Sequence, residues 1–227
     1  MSYSGITADS LWLLNQNRFE NSKLFYEENK EKIKSGVTVP LRQIAGELAP
    51  MMYEIDCMMN LDPVKMVSRV RRDTRFTKDK HLYRDNLWVM FMRPKHEWRF
   101  HPAMWFEVAQ DSFSYGVGQY ETPPALMELY RKALVEREDE FLSALKSAEK
   151  VGASFFADYY KKPKPGAPSA AVEPYYNVKY MYLIRHRRDF KTLESDKIIK
   201  QLKNDFKAYE PMYKFLLSIS DEYVSTL

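Results

Sequence analysis

Between Val67 and Arg84 the chain reads VSRVRRDTRFTKDKHLYR, and seven of those side chains are cationic: Arg69, Arg71, Arg72, Arg75, Lys78, Lys80 and Arg84. Only Asp73 and Asp79 oppose them, so seven cations less two acids leave the segment at +5, while the whole chain of 227 residues carries +4. The rest of the chain is therefore close to neutral, and a field concentrated in this way holds anions. An arginine offers five donors in a rigid fork that matches a phosphate or carboxylate, and a lysine adds a mobile point charge. Arg69, Arg72, Arg75, Lys78 and Lys80 are the candidate anion ligands. Asp73 and Asp79 are their counter-ions, and Tyr83 and Phe76 are the candidate walls. A carboxylate beside arginines has a lowered pKa, which suits orientation better than proton donation. Asp73 and, on a later strand, Glu107 are the weak candidates for acid–base work. The competing reading is structural: an internal Arg–Asp network that fixes a turn, with the other cations hydrated.

Other chemistries find little support. The histidines His81, His96, His101 and His186 show no metal-ligand spacing, the single Cys57 supplies no thiolate set, and no metal or cofactor is expected. There is no nucleophile elbow and no phosphate-binding glycine loop. Gly116 and Gly118 lie inside a strand pattern, where glycines mark a bulge or a close approach.

The elements that position the basic run follow from periodicity. Asp9 is expected to cap a short helix through Leu14, and a second helix spans Glu20 to about Lys34 and stops at Gly36. Thr38 and Pro40 open a third, with Leu41, Ile44, Ala45, Leu48, Met51, Met52 and Ile55 on its apolar face, continuing through Met58 and Met59 with a kink at Pro50. Cys57 falls in that helix as a buried thiol. Strands are expected at Val67–Arg72, Leu87–Met92, Met104–Val108, Ser112–Tyr120 and Val178–Arg188, with a hairpin turn at Gln110-Asp111. On the first of these, Arg69 and Arg71 face one side and Val70 and Arg72 the other. One helix is expected from Thr122 to near Ala148 and a last one, bent at Pro211, from Ser195 to Tyr223. Val151–Tyr160 has no clear pattern, and Lys161–Pro168 reads as an exposed, mobile loop. Strands in the middle and helices at both ends indicate a single α+β domain with a mostly antiparallel sheet.

The run Ser68–Arg84 resembles the S-R-I-Y-R-D-x-R-F-S-K-D-K-x-P-Y-K signature of a widespread bacterial family, domain of unknown function 2461. Arg71 stands at that family's aromatic position and Leu82 at its proline. Asn21–Lys30 resembles the family's opening N-x-R-x-W-F-x-x-N-K, and Lys161–Gly166 its Lys-Arg-Pro-Pro-x-Gly. The family brings no established reaction, so the resemblance implies a fold unit and a site.

Composition adds bounds. With 45% hydrophobic and 29% charged residues the chain is an ordinary globular one, and one cysteine points to a reducing compartment. No apolar run is long enough for a membrane span and the first residues lack a signal pattern, so a cytoplasmic protein is expected. The leading reading is binding of a phosphate- or carboxylate-bearing small molecule by Arg69, Arg72, Asp73, Arg75, Lys78, Asp79, Lys80 and Tyr83. The alternatives are a hydrolase or transferase on a phosphorylated substrate with Asp73 or Glu107 as base, then nucleic-acid binding, then an interaction module; the oligomeric state is open.

Overall fold

Helical spacing in the first quarter of the chain gives way to alternation in the middle, and that change sets the architecture. The computed structural model describes residues 3–94 and 99–227, so His96 lies outside the described residues. Helices α1 (Ala8–Glu20), α2 (Lys23–Ile33), α3 (Val39–Ile55) and the single turn α4 (Pro63–Met66) come first. Strands β1 (Asn86–Phe91), β2 (Ala103–Ala109) and β3 (Phe113–Gln119) follow, then α5 (Pro124–Glu136) and α6 (Glu138–Lys150). The chain closes with β4 (Ser154–Tyr159), the short α7 (Glu173–Tyr176), β5 (Val178–Arg187) and the long α8 (Lys197–Val224). The strands form a five-stranded antiparallel sheet in the order β1-β2-β3-β5-β4, so the fold is α+β with helices at both ends of the chain. By packing, the chain divides into two compact units: Met1–Phe91, Trp105–Ser114 and His186–Lys203 form one, and Met92–Met104, Tyr115–Arg185 and Asn204–Leu227 the other.

In the first unit α1 begins at Thr7, whose hydroxyl accepts from the Ser10 amide at 3.2 Å, and Asp9 sits within its first turn. It runs past Leu14 to Asn21, which ends it in the left-handed region at φ 47°. Ser22 caps α2. Gly36 does not stop the chain of helices: it lies in a π-helical turn, Lys34–Thr38, that leads straight into α3. A Cβ at Gly36 would run into the Ser10 side chain, so glycine is used here for close packing against α1 rather than for a helix end. The apolar face of α3 is buried except for the half-buried Met51, but the helix ends at Ile55. Asp56 turns to an extended backbone and its carboxylate accepts the Met58 amide at 3.0 Å, a local alternative to helix continuation. Cys57 is therefore exposed and outside the helix, and so is Met58. Val67–Arg72 is not a strand either. It makes two isolated bridges, Val67 to Val89 and Arg71 to Tyr83, and the opposite segment has two more residues between them, so one register does not run through both.

In the second unit the helix expected from Thr122 to Ala148 is two. Arg137 breaks it at φ −129°, ψ 43°, where its guanidinium lies 4.8 Å from the Phe215 ring centre and donates to Ser218 Oγ at 2.9 Å. Val151–Tyr160 contains β4, which pairs with β5 through Phe156 opposite Tyr182 and Asp158 opposite Tyr180. Gly118 on β3 allows close approach, since a Cβ would strike Tyr182 and the Met181 carbonyl. The exposed proline-rich loop is tied down: Asn177 Oδ1 accepts the Lys164 amide at 2.7 Å, and Tyr176 donates to the Pro165 carbonyl at 2.8 Å.

The second unit's strands are held to α8 by one fully buried acid. Asp205 accepts from Tyr115 Oη at 2.7 Å, from Arg185 Nη1 at 2.6 Å and from Asn204 Nδ2 at 2.9 Å. Removing one member of a buried, hydrogen-bonded ion pair costs about 3–5 kcal/mol because the other charge stays buried. Asp205→Ala is expected to lose stability of about that size by urea denaturation, whereas a loss under about 1 kcal/mol, the scale of exposed pairs, would show that Asp205 does not organise this core.

Candidate functional site

The basic run occupies a loop whose base is closed by backbone hydrogen bonds. Arg72 N donates to Leu82 O at 2.8 Å and Arg84 N to Val70 O at 2.9 Å, so residues 73–81 project as an excursion. Side-chain alternation survives in the approach to it: Arg69 and Arg71 are exposed, while Val70 and Arg72 are half-buried. The corner between α1 and α2 grips the same loop. Asn21 Oδ1 accepts the Leu82 amide at 2.7 Å, Tyr26 stacks on Tyr83 with ring centres 4.8 Å apart, and Arg18 Nη1 donates to the Tyr83 carbonyl at 3.1 Å.

Asp79 is the hub. Its carboxylate accepts from Arg18 Nη2 at 2.9 Å, from Arg72 Nη1, from the His81 amide at 3.0 Å, and pairs with His81 Nδ1 at 2.6 Å. The His81 amide, then Arg18, the His81 ring and Arg72 together hold its pKa far below the usual carboxylate range. Arg18 also meets Asp85, with Nε 3.2 Å from Oδ2. Arg18, Arg72, Asp79, Arg84, Asp85 and Asn86 line a shallow depression of about 170 Å³.

Arg84 is the member with an unpartnered nitrogen. Its guanidinium lies 4.4 Å from the Trp88 ring centre, and its Nε is buried without a hydrogen-bond partner. Burial first, then repulsion by Arg72, lowers its pKa, while Asp85 and Glu107 act the other way. Glu107 on β2 is drawn into the same neighbourhood. Burial raises its carboxyl pKa and the nearby Asp85 adds to the rise, against a hydrogen bond from Asn86 and the charges of His186 and Arg84.

Of the residues singled out from sequence, Arg72 and Asp79 line the depression and Glu107 borders Arg84. Tyr83 is buried beneath, as a stacking partner of Tyr26 rather than a wall. Arg69 and Lys78 are exposed. Lys80 donates to the Thr74 carbonyl at 2.9 Å, and Arg75 pairs with Asp73 through Nε at 3.0 Å and Nη2 at 2.7 Å, both groups at the surface. Phe76 is 91% exposed, with the Arg75 guanidinium 5.4 Å from its ring centre. Sequence reasoning missed Arg18, Asp85 and Asn86 and passed over Arg84. Asn21, which opens the first family-like motif, was the one signal that the α1–α2 corner mattered. Among the described residues no cluster of three or more histidine, cysteine or carboxylate side chains is placed to hold a metal, and no helix is long and apolar enough to cross a membrane.

Residues 9–215 of the chain match the family described as Conserved hypothetical protein (DUF2461). The chain belongs to that family. The DUF2461 match takes in both motifs that meet at the loop, Asn21–Lys30 and Ser68–Arg84. No curated protein matches the chain. Among solved structures, an uncharacterized protein from Methanothermobacter thermautotrophicus is similar at 11% identity and a TM-score of 0.35, with 78% of this chain and 98% of that one covered.

Because the Asp79 pKa is depressed in the folded state, its stabilising effect is complete above the unfolded carboxylate value of about 3.9 and fades as pH falls through the folded value. Asp79→Asn is expected to lower the Tm at pH 7, and the gap between the two proteins should narrow below about pH 4. A gap that stays constant from pH 7 to pH 2 in thermal melts would show that the charge of Asp79 is not what holds the loop.

Proposed function

We propose that this DUF2461 chain binds a phosphate- or carboxylate-bearing small molecule at the depression between Arg18, Arg72 and Arg84. The observation that carries this reading is the state of Arg84. Three guanidinium groups and two aspartates line it, and of the three only Arg84 has a buried Nε without an acceptor. A buried donor without a partner is costly, and a like charge beside it adds to the cost. An incoming oxyanion offsets the like charge around Arg84, and it also supplies the second partner that the Arg72 fork lacks after binding Asp79. The volume of about 170 Å³ is below the roughly 300–1,000 Å³ of pockets that enclose a whole small molecule. It suits an anionic head group, with the rest of the ligand lying outside.

A second reading has a specific observation behind it. Glu107 has its carboxyl pKa raised by burial and stands beside Arg84, which is how a proton carrier is prepared. That favours a hydrolase or transferase on a phosphorylated substrate, with Glu107 rather than the surface-paired Asp73 as the acid–base group. In turnover screens with phosphomonoesters and phosphodiesters, Glu107→Gln should then abolish turnover and leave binding intact.

Isothermal titration with a panel of nucleotides, sugar phosphates and dicarboxylates tests the binding reading. Loss of one charge-assisted contact corresponds to about a tenfold to hundredfold weaker Kd, which is the expectation for Arg84→Ala. Lys78→Ala, which alters the same basic run away from the depression, should change Kd by less than about twofold. No binding to any panel member, or equal losses from the two variants, would remove the depression as the site.

A further inference from the structure

Arg131, on α5, is buried to 5% exposure. Among the described residues no carboxylate stands within ion-pair distance of it, and its Nη1 is buried without a hydrogen-bond acceptor. A guanidinium in that state is rare, because a buried arginine is ordinarily paired. The Tyr160 ring centre lies 5.9 Å from the guanidinium carbon, and the Lys164 ammonium lies 4.2 Å from the same ring centre. Two cations thus share one aromatic ring. The quadrupole of a ring is only a weak substitute for an acid.

The surroundings are built rather than incidental. Asn177 fixes both contributors on the loop, its carbonyl accepting the Tyr160 amide at 2.9 Å and its side-chain oxygen the Lys164 amide at 2.7 Å. Tyr176 holds the next residue through the Pro165 carbonyl, and Gly166, at φ 141°, passes where a Cβ would collide with the Tyr176 hydroxyl. Lys161 and Lys162 add positive field from the exposed part of the same loop.

We infer that Arg131, Lys164 and Tyr160 form a second anion site, which takes a phosphate monoester in its dianionic form. The charge match selects the ligand class. Two cations without an acid are neutralised by one dianion, whereas a single carboxylate leaves one charge uncompensated. The Arg131 guanidinium and Lys164 Nζ supply the charge and Tyr160 the wall. All three belong to the second unit, so the inference stands independently of the Arg84 depression.

The test is calorimetric titration of inorganic phosphate, phosphoserine and acetate into the full chain carrying Arg84→Ala, which silences the first site. Phosphate and phosphoserine are expected to bind with one-to-one stoichiometry and acetate at least about tenfold more weakly; adding Lys164→Ala should weaken phosphate by about tenfold. No phosphate binding by the Arg84→Ala chain, or an unchanged Kd on adding Lys164→Ala, overturns the inference, and either result leaves the Arg84 comparison above intact. Arg131→Met gives a second readout whose sign separates the alternatives. A ligand-binding Arg131 predicts an equal or higher Tm without phosphate and loss of the phosphate-induced rise in Tm. A lower Tm with that rise retained marks Arg131 as a packing residue and overturns the inference.

Discussion

One guanidinium joins the helical corner of the first unit to the loop that carries its charge. Arg18, in the last turn of α1, reaches the Asp79 carboxylate, the Asp85 carboxylate and the Tyr83 carbonyl. Each contact is partly solvated and would be worth little alone. Their value lies in convergence with Asn21, which holds Leu82, and Tyr26, which stacks on Tyr83. An excursion rich in like charges repels itself, and it keeps a defined shape only where acids and backbone contacts are placed to hold it. Asp79 supplies that centre for Arg18, Arg72 and His81 together.

Read as charge compensation, the two units separate cations that hold the fold from cations that are left over. Arg185 is matched by the buried Asp205, Arg75 by Asp73, and Arg18 and Arg72 by Asp79. Arg42 and Arg84 in one unit and Arg131 in the other each carry a buried nitrogen without a partner, and Arg84 also has the like charge of Arg72 beside it. Compensated charges explain structure. Uncompensated ones are where a ligand changes the energy most, and the functional reading rests on that difference rather than on the number of basic residues.

The sequence disclosed more of the fold than of the site. Runs of β-branched and aromatic residues located β1, β2, β3 and β5, and the apolar face of α3 was readable from spacing alone. Local rules failed where a tertiary contact outweighed them. Gly36 looked like a helix end and is instead the clearance for Ser10. Arg137 lies inside a continuous helical pattern but is drawn out of it toward Phe215 and Ser218. Cys57 fell within the apolar period of α3, yet the Asp56 carboxylate ends the helix before it. At the candidate site, charge density pointed to the loop that borders the depression but not to all of the residues that line it. Half of the residues around the depression come from outside the basic run, and Arg18 in particular carries no signal in its own neighbourhood of sequence. Arg69 and Lys78, equally basic, are turned to solvent. Nothing in residue type distinguishes Arg84 from them; only burial does.

The most direct measurement is a crystal structure of the chain grown with tungstate, an oxyanion visible by its anomalous scattering. The expected result is a tungstate within hydrogen-bond distance of the Arg84 guanidinium in the Arg18–Arg72–Asp79 depression. Tungstate found only at Arg69, Lys78 or other exposed cations, with the depression filled by water, would contradict the claim that the arginine with a buried, unpartnered Nε marks the binding site.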